Sequence, residues 1–98
     1  MRHPERMRSV HVIVRGRVQG VGFRWFTRDA AETAGIAGWV RNRRDGTVEA
    51  ELHGDDQAVS TVLNRLSEGP EWSNVDDLAV TDAEPAPLYA GFDIRPTV

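Results

Sequence analysis

The chain has no cysteine and no lysine among its 98 residues, one tyrosine, and aromatic residues make up only 7%. Without cysteine there is no disulfide framework, no thiolate metal site and no thiolate nucleophile. No apolar run approaches the ~20 residues needed to span a membrane. The first eight residues are polar and arginine-rich, which is not the pattern of a signal peptide. These absences lead us to expect a cytoplasmic protein. With 40% hydrophobic residues, the chain can bury one core, and we expect residues 1–8 to be a flexible leader and 9–98 a single domain.

Charge of one sign is also scarce in each half. All twelve basic side chains are arginines, and ten of them fall in residues 1–44 against three acids, giving +7. Residues 45–98 hold two arginines and twelve acids, giving −10. An arginine-favouring genome explains the missing lysine; a positive half that steers anions explains the asymmetry.

Within the positive half lies Gly16-Arg17-Val18-Gln19-Gly20-Val21-Gly22-Phe23-Arg24. It follows an apolar run, Val10 to Val14, that reads as a central strand, and it opens a helical pattern carried by Phe23, Phe26, Ala30 and Ala34. Glycine reaches positive φ without steric cost, so three glycines in seven residues let successive amides converge at a helix start, where anions bind. Arg24 in the first turn adds a forked, permanently charged guanidinium suited to phosphate. A cation at that positive end of a helix is favourable when an anion joins it. The loop lacks the Gly-Lys-Ser/Thr ending of a nucleotide P-loop and the dinucleotide glycine spacing. A thiolate phosphatase would place its cysteine near Val18, which this chain does not.

Further along, Gly35 stops the first helix. Ala37–Asn42 reads as a second strand, Arg43-Arg44-Asp45-Gly46 as a hairpin turn with Asp-Gly at positive φ, and Thr47–His53 as a third strand with Glu49 and Glu51 facing outward. Asp55 or Asp56 caps a second helix whose buried stripe is Val59, Val62, Leu63 and Leu66, and Gly69-Pro70 ends it. Val75, Leu78 and Val80 suggest a bulged fourth strand. Residues 83–90 read as a loop, and Phe92 and Ile94 as a short closing strand. The order β-α-β-β-α-β predicts an α+β, ferredoxin-like fold: a four-stranded, mostly antiparallel sheet, plus the short extra strand, with two helices on one face. Its right-handed crossover makes the first two strands parallel, so Arg24 and Asn42 meet at one edge.

That edge offers amides, a guanidinium and the Asn42 amide, but no general acid and no nucleophile with a base beside it. It can hold a phosphate, stabilise charge on its oxygens and orient a water. It cannot readily protonate a poor leaving group, whereas a carboxylate, with a conjugate acid of pKa ~4, needs no such help. The equipment suits an activated mixed-anhydride phosphate.

The glycine motif, together with Gly38-Trp39-Val40-Arg41-Asn42 and Asp45-Gly46-Thr47-Val48-Glu49, closely resembles the acylphosphatases over Val10–Ile94. The resemblance implies a small monomeric hydrolase that splits acyl phosphates into carboxylate and orthophosphate by direct water attack, with no cofactor, metal or covalent intermediate. Arg24 falls on the family's phosphate-binding arginine and Asn42 on its water-positioning asparagine. Gln19, Gly20, Val21, Gly22 and Phe23 fall on its phosphate-binding loop. The departures are Gly22, where the family often carries a bulkier residue, and Glu71-Trp72 after Gly69-Pro70, which we expect to lie far from the chemistry.

Other residues draw plainer readings. Thr27 reads as a helix-packing or loop-bracing hydroxyl, and Gln19 as a loop brace or a solvated side chain. His3, His11 and His53 lack metal-ligand spacing. Trp25, Trp39 and Trp72 read as packing residues, and Asp76-Asp77 as a solvated strand edge. The partners expected are the acyl phosphate substrate and inorganic phosphate, with no nucleic acid and no membrane. Two rival readings are a non-catalytic regulatory domain that keeps the phosphate pocket for binding only and an RNA-binding module, since the same layout serves RNA recognition; outward Glu49 and Glu51 oppose the latter.

Overall fold

The computed structural model describes residues 6–85 and 91–98. The valine alternation of the first strand becomes the spine of a sheet: in β1 (Met7–Arg17), Val10, Val12 and Val14 are fully buried. β1 is followed by α1 (Phe23–Ala34), β2 (Ala37–Asn42), β3 (Val48–Asp55), α2 (Asp56–Glu68), β4 (Asn74–Asp82) and β5 (Phe92–Ile94). The strands lie in the order β4-β1-β3-β2-β5. β3 is antiparallel to both β1 and β2, so β1 and β2 run parallel, and β5 joins parallel to the outer side of β2.

Both helices pack on one face of this sheet. From α1 come Phe23, Ala30 and Ala31, and from α2 Val59, Val62 and Leu66; they meet Val40, Val48, Ala50 and Leu52 of the sheet in one apolar cluster. Removing these aliphatic side chains from water supplies about 1.5–3 kcal/mol for each large one, and the two-residue period of the strands makes the register unambiguous. Gly35 closes α1 in a left-handed conformation, and Asp55 caps α2 by accepting the Ala58 amide at 3.3 Å.

The observed boundaries revise several expectations. Of the leader expected over 1–8, Met7 and Arg8 pair with Asp55 and Gly54 and extend the sheet, while 1–5 fall outside the described residues. For the same reason β3 runs past Gly54 to Asp55. In the 43–47 turn only Gly46 has positive φ, at 92°. Asp45 acts differently, accepting the Thr47 amide at 3.0 Å and the Thr47 hydroxyl at 2.6 Å. The bulge expected in β4 is present: its extra residue is Asp76, because the consecutive Arg15 and Gly16 pair with Asp77 and Val75. Of the loop expected over 83–90, residues 83–85 lie outside helix and strand, and 86–90 fall outside the described residues.

Candidate active site

Between β1 and α1 the chain turns on two buried anchors, Val18 and Phe23, with Gln19 to Gly22 forming the turn itself. Gly20 and Gly22 have φ of 74° and 80°, while Gln19 and Val21 stay at negative φ. An anion nest requires such an alternation of φ sign. Gly22 is also the N-cap of α1, and no side chain caps the helix there and no acid occupies its first turn. The first helical bond runs from the Phe26 amide to the Gly22 carbonyl at 3.0 Å. The amides of Phe23, Arg24 and Trp25 therefore have no intrahelical acceptor. By contrast, α2 is capped by Asp55 and carries Asp56 in its first turn.

Arg24 is the second residue of α1 and is half-buried. Among the described residues its guanidinium forms no ion pair. Four residues on, Thr27 is wholly buried and its hydroxyl donates to the Phe23 carbonyl at 2.8 Å, which braces the first turn. Thr27 thus supports the loop from beneath.

Asn42 closes β2 opposite Val48, and Val48 lies opposite Val14 near the end of β1. Strand parity places Asn42 on the helix-covered side with Val40, at the same end of the sheet as the glycine loop. The connection between them is Gln19. Its side-chain amide donates to the Arg43 carbonyl at 2.7 Å and to the Thr47 carbonyl at 2.8 Å. These two carbonyls flank the neck of the β2–β3 turn, and the Arg43 amide donates to the same Thr47 carbonyl at 2.9 Å. One side chain therefore fastens the loop next to Asn42. Asp45 orders the far side of that turn, and the hydrogen bonds from the Thr47 hydroxyl and amide hold its carboxyl below the usual 3.8. Sequence reasoning missed this brace; the Asp-x-Thr spacing of an Asx turn was the available signal.

Other arginines and aromatics divide differently from expectation. Arg41 points to the open face, where its guanidinium donates to Glu49 at 2.7 Å and stacks on Trp39 at 4.7 Å. Trp39 is buried, as expected, but Trp25 and Trp72 are 61% and 78% exposed. Glu49 also bonds the His11 ring at 2.6 Å, and Glu51 bonds His53 at 2.9 Å. The open face is thus a paired polar surface. His3 lies outside the described residues. Among the described residues no group of three His, Asp or Glu side chains is placed to hold a metal ion. A hollow lined by Glu32, Gly35, Ile36, Ala37 and Gly91 lies at the other end of α1.

The arrangement can bind a phosphoryl group and orient a water against it. The sequence model of the acylphosphatase family matches residues 10–94. An acylphosphatase from Bifidobacterium longum is 48% identical over 82 residues, 84% of each chain. Acylphosphatase 2 of Ralstonia nicotianae is 48% identical over 89 residues, covering 91% of this chain and 94% of that one. The crystal structure of an acylphosphatase from Bacillus subtilis superposes with a TM-score of 0.86 at 37% identity, over 92% of this chain and 99% of that one.

Proposed function

This chain belongs to the acylphosphatase family, and on that premise we propose that Arg24 and the amides of Gln19–Phe23 bind the phosphoryl group while Asn42 positions the water that attacks it. The protein is an enzyme, an acylphosphatase, that hydrolyses the carboxyl–phosphate bond of acyl phosphates. The observation that carries the division of roles is the Gln19 tie, which joins the loop to the residue after Asn42.

The chemistry follows from what each group supplies. Charge on the equatorial oxygens is met by amide dipoles and the Arg24 guanidinium, preorganised before the reaction starts. The Asn42 side chain accepts from or donates to water and cannot take a proton away at neutral pH. No base is needed to keep one: acyl phosphate dianion plus water gives carboxylate plus dihydrogen phosphate, so both protons of the water end on the product phosphate and the incoming oxygen. The leaving carboxylate departs unprotonated. Gln19 and Thr27 act as positioning residues, one holding the loop to the hairpin and the other holding the first turn of α1.

We propose a monomeric, cytoplasmic enzyme; no helix among the described residues is long and apolar enough to cross a membrane. The open face supports neither base stacking nor strand-like RNA binding, since Trp39 is buried between the Arg41 and Arg95 guanidiniums. The test is steady-state hydrolysis of benzoyl phosphate and p-nitrophenyl phosphate in EDTA, with inorganic phosphate as competitor. Cleavage of the acyl phosphate alone, inhibited by phosphate and indifferent to EDTA, is the expected result. Phosphate binding without turnover would reduce the chain to a binding domain.

A further inference from the structure

One exposed residue at the active end has no part in the mechanism above. Trp72 sits between α2 and β4, 78% exposed, and is the single described non-glycine residue with left-handed backbone, at φ 75°. An indole in water and a side chain in that conformation are both unfavourable by themselves. The turn nevertheless holds it there: the Ser73 amide and hydroxyl donate to the Pro70 carbonyl at 3.0 and 2.6 Å.

The turn stands against the glycine loop. Arg17 pairs with Asn74 and Gly16 with Val75, and a Cβ placed on Gly69 would lie 3.2 Å from Cε2 of Phe23. Because the strand order is β4-β1-β3-β2, this turn flanks the loop on the β4 side, and the hairpin bearing Asn42 flanks it on the other. In-line displacement puts the attacking and leaving oxygens on opposite sides of phosphorus. With water on the Asn42 side, the acyl group leaves on the side away from Asn42, which the α2–β4 turn borders.

We infer that Trp72 is a specificity-determining residue that packs against the acyl group of the substrate and favours aromatic or large apolar acyl phosphates over acetyl phosphate. The inference rests on the water-positioning role of Asn42. An indole presents a broad flat apolar face, and covering it with an aryl group removes both surfaces from water, whereas a methyl group covers little. Trp25, the other exposed indole, already carries the Arg28 guanidinium 4.2 Å from its ring.

The experiment compares kcat/KM for benzoyl phosphate and acetyl phosphate in the wild type, Trp72→Ala and Trp72→Phe. The ratio of benzoyl to acetyl activity should fall about tenfold in Trp72→Ala and recover most of the way in Trp72→Phe. An unchanged ratio in active enzyme, or an equal decline on both substrates, overturns the inference and leaves the parent reading standing. A wild-type protein that hydrolyses neither substrate overturns both.

Discussion

At Gln19 a single carboxamide does what no backbone contact does, donating both of its hydrogens to carbonyls 24 and 28 residues away. Gln19→Ala removes both bonds and leaves the Arg43 carbonyl without that donor. We expect a loss of about 1–2 kcal/mol in stability. We also expect a fall in kcat greater than the weakening of phosphate binding, because the loop can still close on the anion while Asn42 loses its register. Urea melts beside kinetics of the variant check this; a variant that matches the wild type in both would remove the brace from the account. The role was only half legible in the sequence. Gln19 was visible as a loop residue, but its acceptors are backbone groups, and a backbone carbonyl leaves no mark in residue types. Arg24 and Asn42 stand out in the sequence as candidates because the chemistry proposed for them resides in their side chains.

Among the elements, the central strands carry the polar network of the open face. Burial works against ionisation of Glu49, but hydrogen bonds from His11 and Arg41 outweigh it and hold the carboxyl below its ordinary 4.5. The folded-state value is thus below the unfolded one. The stabilisation this contributes is complete above about pH 4.5 and is lost as pH falls through the lowered folded-state value. Between about pH 6 and pH 3, wild-type stability should therefore drop more steeply than that of Glu49→Gln, as read by urea midpoints at each pH; parallel curves would contradict the pairing. The elements themselves were largely readable, since period-two valines and a 3.6-residue stripe follow from which faces are buried. The start of β1 was not: Met7 and Arg8 enter the sheet through backbone pairing with β3, where side-chain polarity carries little information.

For the molecule as a whole, arginines distant along the chain gather at the active end, where Asp45, Asp76 and Asp77 also lie. Arg15 and Arg17 end β1, Arg24 opens α1, and Arg43 and Arg44 lie in the hairpin, all at the active end. The edge strand β4 carries exposed Asp76, Asp77 and Asp82, which oppose pairing with a second copy. A positive approach to the cradle should make kcat/KM for an anionic substrate fall as salt rises from about 0.02 to 0.5 M, with kcat nearly unchanged. A salt-independent kcat/KM would assign the arginine excess to genome composition alone. The sequence halves pointed to an arginine-rich site, but only the parallel β1 and β2 show that these arginines meet at one end.

The loop and Asn42 divide the proposed labour between them, and measuring both kcat for benzoyl phosphate and the inhibition constant of inorganic phosphate in Asn42→Ala separates the two. In Asn42→Ala kcat should fall by about 10²–10³ while the inhibition constant stays within about threefold of the wild type, whereas Arg24→Ala should lose both. A folded Asn42→Ala enzyme with full turnover, or one that loses phosphate binding along with turnover, would contradict it.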